Sequence, residues 1–387
     1  MTAKPNTHPT HSLLIENIGS LVVVPPGPLV GSAMRNVPTI DDAALWIDQG
    51  TIRWFGPSAD APQPDDCPHI SAEGGTLVPG LIDPHTHIPF CGERSGEFVR
   101  RIAGESYLSI MESGGGIRVT TKAVRAATLE QLVDENLPRL ARMLAGGVTT
   151  VECKSGYGLA PRHELKQLHA IHELAARQPI DLVPTYLGAH AIPEEFEGRA
   201  DAFIDEIASD KIFGEIKKKD LAVFCDVFCD RGALTVDQAR RVLTRAAKYG
   251  LTPKLHADEL AQIGASRLAG EVKAISADHL ELIDEEGMAA MRAAGTVAVV
   301  LPGTSFFLGI EHANARKMIE AGLAVALATD CNPGSSHIDS LPMIMDIACC
   351  QLRMTPEQVI AAVTANAAAA CNIQDRTGAI REGFAGD

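Results

Sequence analysis

From Leu81 onward, short apolar runs alternate with stretches of helical period. The runs are LVPGLIDPHTH, VTTVECK, DLVPTYLGAH, LAVFCDVFC, TPKLHAD, AISADHL, TVAVVLP and LAVALATD. Between them lie segments such as LEQLVDENLPRLARMLAGG, RHELKQLHAIHELAARQ, TVDQARRVLTRAAKYG and NARKMIEAGL. Several of these close on Gly, the residue that most readily ends a helix. Strand–helix alternation at this spacing predicts βαβ units and a parallel sheet. Eight such units over roughly 250 residues is the size of a (β/α)8 barrel of the TIM type. A doubly wound open sheet is the rival, but no G-x-G-x-x-G follows an early strand.

Before Leu81 the pattern differs. SLLIENIGSLVVV and ALWIDQGTIRWFG are β-rich runs, separated and followed by the turn-rich stretches Pro25-Pro26-Gly27 and Ala61-Pro62-Gln63-Pro64. No long helical period interrupts them, so residues 1–80 are expected to form a small, β-sandwich-like domain. Residues 81–375 are then the barrel, and 376–387 begin a return to the small domain.

Composition narrows the possibilities. Hydrophobic residues make up 46% of the 387 positions and charged residues 21%, which excludes a disordered or collagen-like chain. A net charge of −15 argues against broad contact with nucleic acid or an anionic membrane, though one buried Arg can still hold a small anionic substrate. The run Lys217-Lys218-Lys219 reads as a solvated loop or helix end. Nine cysteines, with no CxxC pair, read as buried reduced thiols rather than a disulfide framework; Cys225 and Cys229 are four apart and Cys349 and Cys350 adjacent. The segment Met1 to His11 is polar, and no apolar run reaches the roughly 18 residues needed to span a bilayer. A cytoplasmic protein is expected.

In a barrel, chemistry gathers at the C-terminal ends of the strands. The first strand ends Asp83-Pro84-His85-Thr86-His87, and residues two apart on a strand point the same way, so His85 and His87 can reach one cation. The third strand ends in His190, the fifth in His256, the sixth in His279 and the eighth in Asp330. A lone histidine is more often a core or surface residue, and His8, His11, His69, His163, His169, His172, His312 and His337 are read so. That reading does not suit five histidines at strand ends beside an Asp embedded in LAVALATD. A carboxylate there needs a partner or a metal.

PGLIDPHTH, HADEL, ADHL and ATDCNPGSS, in this order, resemble the amidohydrolase superfamily of metal-dependent barrels. Within it the chain is similar to the imidazolonepropionase family. That likeness rests on GERSGEFVRRIAGESYLSI, GGGI, GVTTVECKSGYGL, TYLGAHAIP, DVFCDRG and ALATDCNPGSS, and runs from about Leu13 to Gly383. The resemblance implies hydrolysis of 4-imidazolone-5-propanoate to N-formimino-L-glutamate, the third step of histidine degradation. It implies that His85, His87, His256 and Asp330 hold one metal ion per chain, Zn2+ or Fe3+, a choice that ligand type alone does not make. Asp330 would also carry a proton, and His279 would polarise water or steady the developing oxyanion. Arg94, Tyr157, His190 and Glu259 would contact the substrate, Glu259 by accepting from a ring N–H. Asn332, Gly334 and Ser335 would line the loop after Asp330, where backbone N–H groups can meet a carboxylate.

Many members of the superfamily hold two metals bridged by a carboxylated Lys or a Glu of the fourth strand. Here that strand reads LAVFCDVFCD, with neither, and Lys154 ends the second strand instead, so one metal is expected. The partner is a small molecule, and a homodimer is left open. The chain stops at Asp387, where the family normally continues with strands that return to the small domain, so that domain is expected to lack them. Two other readings stand beside this one: a mononuclear aminohydrolase that deaminates a purine or pyrimidine ring, and a catalytically inactive scaffold barrel.

Overall fold

The computed structural model describes residues 12–105, 109 and 113–387. His8, His11 and the rest of the polar segment Met1 to His11 lie outside the described residues, as does most of the stretch SYLSIME.

Five strands precede the barrel: β1 (Leu13–Val22), β2 (Thr39–Asp48), β3 (Thr51–Pro57), β4 (His69–Ser71) and β5 (Thr76–Leu77). They form one mixed sheet in the order β3-β2-β1-β4, with β5 also on β1. No second sheet of a sandwich-like pair occurs there among the described residues. Alternate positions of β2 point inward, and Ala43, Leu45 and Ile47 make a small core with Ile18 and Leu21 of β1, Ile52 and Ile380. The end of the chain lies along β3: Ile52 N–H donates to Phe384 O at 2.8 Å and Gly386 N–H to Gly50 O at 3.0 Å.

All eight apolar runs are strands: β6 (Leu81–Thr86), β7 (Val148–Lys154), β8 (Asp181–Ala189), β9 (Phe224–Cys229), β10 (Thr252–Ala257), β11 (Ser276–His279), β12 (Val297–Val300) and β13 (Val325–Leu327). They pair in parallel, each with its sequence neighbour. Closure between first and last is made just beyond β13, where His87 N–H donates to Cys331 O at 3.0 Å and Asp330 N–H to His85 O at 3.1 Å. Asp83 ties the same seam, accepting from Thr329 N–H at 3.1 Å and Thr329 Oγ1 at 2.6 Å. The seam therefore sets His85, His87 and Asp330 side by side.

Helices cover the outside. Those at Leu129–Ala145 and Val236–Ala247 each open with a reciprocal cap, Thr128 with Gln131 and Thr235 with Gln238. The lysine run closes the helix Asp210–Lys219, where cations suit the negative end of the helix dipole. Inside the barrel, Ile82, Val183, Phe224 and Val297, near the starts of their strands, cluster together with Val299 and the alanine-rich helix Ala365–Ala370. That apolar floor leaves the other end of the barrel to polar side chains. The cysteines are all unbridged; six are buried, but Cys67 and Cys349 are half-buried and Cys350 is exposed, so the thiols are not uniformly inside. No helix among the described residues is long and apolar enough to cross a membrane.

Candidate metal centre and active site

The strand ends bring His85, His87, His256 and Asp330 into contact. His85 Nε2 and His87 Nε2 lie 3.4 and 3.3 Å from Asp330 Oδ1, and His256 Nε2 lies 3.3 Å from His87 Nε2. All four residues are buried, and His85 Nε2 and Asp330 Oδ1 have no hydrogen-bond partner. Buried polar atoms are rarely left so. Four ligands placed tetrahedrally at about 2.0–2.1 Å from a zinc-sized ion stand about 3.3–3.4 Å apart. The donor chemistry and the spacing of His85, His87 and Asp330 therefore suit a metal ion.

The remaining atoms of these side chains are held from behind. Thr304 Oγ1 donates to Asp330 Oδ2 at 2.6 Å, which turns Oδ1 toward the histidines. His85 Nδ1 lies 2.6 Å from Asp278 Oδ2, and His256 Nδ1 lies 3.0 Å from Asp226 Oδ2. Burial opposes a charge on Asp330, but the close approach of His85 and His87 prevails and holds it well below the usual carboxylate range. Burial pushes His87 down to about 4, beyond what Asp330 restores. His85 goes the other way, to about 9: burial and the Lys154 ammonium oppose its charge, and contact with Asp278 and Asp330 outweighs them.

His279 stands beside this cluster, its ring 5.3 Å from that of His256, and burial holds it well below its ordinary value. Its Nε2 lies 3.6 Å from Glu259 Oε2 and its Nδ1 3.9 Å from Glu281 Oε2. Asp230 places Glu259 by accepting from the N–H groups of Glu259 and Leu260 at 2.8 and 2.9 Å. Burial first, then the carboxylates of Glu281, Asp330 and Asp230, raise Glu259 well above the usual range. Burial raises Glu281 to about 8. His279 and Leu280 have φ of 79° and 69°, a left-handed backbone that Leu rarely adopts and that costs about 1–3 kcal/mol per residue.

Tyr157 and His190 form the opposite wall. His190 stacks on His87 at 5.0 Å, and its Nδ1 bonds Gly156 O at 2.9 Å. The Tyr157 ring lies 5.7 Å from His87. Gln167 holds the KSGYG loop by accepting from the N–H groups of Tyr157 and Gly158 at 3.0 and 2.9 Å.

Arg94 meets the loop after Asp330 directly. A side chain at Gly334 would collide with the Arg94 guanidinium. Glu97 Oε2 accepts from Arg94 Nε and Nη2 at 3.1 and 2.9 Å, leaving Nη1 and one Nη2 hydrogen for other partners. In the loop itself, the N–H groups of Gly334 and Ser335 donate to Asn332 Oδ1 at 2.7 and 2.8 Å. These are the groups expected to meet a carboxylate; in this structure Asn332 engages them, and Arg94 is the cation left beside the loop.

Sequence reasoning passed over Thr304, Asp226, Asp278 and Glu281. The last three carried a signal: each is an acidic residue in or beside an apolar run, within three positions of a strand's C-terminal end. Lys154, weighed only as a metal bridge, is fully buried, with its Nζ 2.8 Å from Glu152 Oε1 and 2.9 Å from Asp226 Oδ2.

A closed parallel barrel with a histidine–carboxylate cluster at its C-terminal mouth defines the class, and the amidohydrolase family profile matches residues 76–387. Among solved structures, the guanine deaminase of C. acetobutylicum superposes with a TM-score of 0.71 over 97% of this chain and 89% of its own, at 13% identity. An adenosine deaminase from Xanthomonas campestris with bound zinc gives 0.68 over 97% and 84%, at 19% identity. At such identities the likeness is one of fold. Sequence kinship is nearer. The imidazolonepropionase of Brevibacillus brevis is 46% identical over 93% of this chain and 86% of its own length. That of Alkaliphilus oremlandii is 47% identical over 96% and 90%. The chain belongs to the amidohydrolase family and, within it, to the imidazolonepropionases.

Proposed function

We propose that this chain hydrolyses the cyclic amide of 4-imidazolone-5-propanoate to N-formimino-L-glutamate, the third step of histidine degradation. The observation that carries the reading is kinship of 46–47% with imidazolonepropionases over more than nine-tenths of the chain. His85, His87, His256 and Asp330 would hold one ion, Zn2+ or Fe3+. When bound, the ion supplies Lewis acidity, making hydroxide available from water near neutral pH and polarising a carbonyl.

The chain's own residues account for the rest. Asp330, ionised and fixed through Oδ2, takes a proton from the attacking water and returns it to the ring nitrogen as the C–N bond breaks. His279, uncharged at neutral pH, donates a hydrogen bond to oxygen as negative charge grows there. Glu259, its carboxyl raised well above the ordinary range by burial, offers an oxygen to a ring N–H. Arg94 takes the propionate carboxylate on the edge that Glu97 leaves open. Tyr157 and His190 close the pocket over the ring.

Deamination of a purine or pyrimidine ring is the reading that the same metal set also permits. Arg94, whose Nη1 is left open by Glu97, favours the acid-bearing substrate. Metal-loaded protein should consume imidazolonepropanoate, followed by absorbance, and release no ammonia from guanine, adenosine or cytosine. Ammonia release without imidazolone turnover would overturn the reading.

A further inference from the structure

Beneath the histidines lies a layer of charged side chains with no exposure at all: Glu152, Lys154, Asp226, Lys254 and Asp278. It rests on the apolar floor, with Lys254 Nζ 5.2 Å from the centre of the Phe224 ring. Three carboxylates face two ammonium groups, leaving one net negative charge under the histidine cluster. An apolar layer would serve stability as well, because replacing buried ion pairs by packed hydrophobic residues is often neutral or stabilising. The geometry points to a purpose above the layer.

One oxygen of each aspartate lies between a histidine ring nitrogen and the Lys154 ammonium, whose hydrogen bonds go to Glu152. Asp226 Oδ2 lies 3.0 Å from His256 Nδ1 and 2.9 Å from Lys154 Nζ. Asp278 Oδ2 lies 2.6 Å from His85 Nδ1 and 3.7 Å from the same Lys154 Nζ. Asp278 Oδ1 is fixed separately, accepting from Ser276 Oγ at 2.6 Å. With each Nδ1 facing an aspartate oxygen, the Nε2 edges of both rings point to the side where Asp330 and His87 converge.

We propose that Asp226 and Asp278 are positioning residues for metal binding, gathered around the single ammonium of Lys154 so that together they set the direction of His256 and His85. The inference rests on the metal reading above and deepens it. Partners of this kind typically contribute about 10- to 100-fold to metal affinity.

The test is metal affinity, by chelator competition with Zn2+, together with the rise in melting temperature that Zn2+ gives the metal-free chain. Asp226→Asn and Asp278→Asn should each bind Zn2+ about 10- to 100-fold more weakly and gain less in melting temperature. Ser276→Ala keeps every charge and loses only one hydrogen bond, so it remains informative if the Asn variants do not fold; it should weaken Zn2+ by a few-fold. Lys254→Met takes an ammonium from the same layer but not that of Lys154: it should lower the melting temperature and leave Zn2+ affinity undiminished. Aspartate variants that fold and bind Zn2+ like the parent overturn the inference alone, as does Lys254→Met weakening Zn2+ as much as they do. A parent chain that takes up neither Zn2+ nor Fe3+ overturns both the inference and the metal reading beneath it.

Discussion

Thr304 Oγ1 donates to Asp330 Oδ2 at 2.6 Å, and this bond decides which way the Asp330 carboxylate faces. With Oδ2 engaged, Oδ1 is the oxygen presented to His85 and His87. Thr304→Val keeps the shape and removes the donor, leaving a buried carboxylate oxygen unpaired at a cost of about 1–3 kcal/mol. We expect kcat to fall roughly tenfold or more, since about 1.4 kcal/mol is a factor of ten. Steady-state kinetics on metal-loaded protein tests this, and an unchanged kcat would mean Asp330 is oriented by something else.

Asp330→Asn should cost several orders of magnitude in kcat. It removes a donor atom of the metal set and the base that moves the proton. Circular dichroism should show the barrel intact, because Asp330 N–H still donates to His85 O. Activity within tenfold of the parent would take Asp330 out of the chemistry.

Gly334→Ala should imitate Arg94→Ala. The added methyl would displace the guanidinium, so both variants should mainly raise KM. Combined, they should cost little more than either alone, as substitutions acting on one contact do. Independent, additive effects on KM would separate Gly334 from Arg94.

Glu281 offers a pH test on the metal-free chain. Its carboxyl is pushed up to about 8 by burial, against an ordinary value of 4.5. Between those values the unfolded chain has lost the proton and the folded chain keeps it. Stability therefore falls as pH rises through that window. Glu281→Gln removes the dependence, so its melting temperature relative to the parent should rise between pH 5 and pH 8. A constant difference across that range would contradict the assignment.

The eight strands were legible because each is a short apolar run bounded by helical period, and a buried parallel strand reads that way. The histidines were legible because they fall where those runs stop. What supports them was harder to see. Lys254 and His256 sit two apart on β10, as do Glu152 and Lys154 on β7, and such pairs share a face. Reading charged residues two positions before a strand end as facing the same interior would have exposed this layer. Nothing local marks Thr304, which reaches Asp330 only because β12 and β13 are neighbours. The loop Asn332 to Ser335 was visible as a motif, but its self-bonding depends on side-chain rotamers that spacing does not specify.

The most direct test of the account is titration of metal-free protein with Zn2+ while the loss of imidazolonepropanoate absorbance is followed. Activity should be near zero without metal, rise linearly, and level off at one equivalent per chain. Full turnover by the metal-free chain, or a requirement for two equivalents, would contradict it.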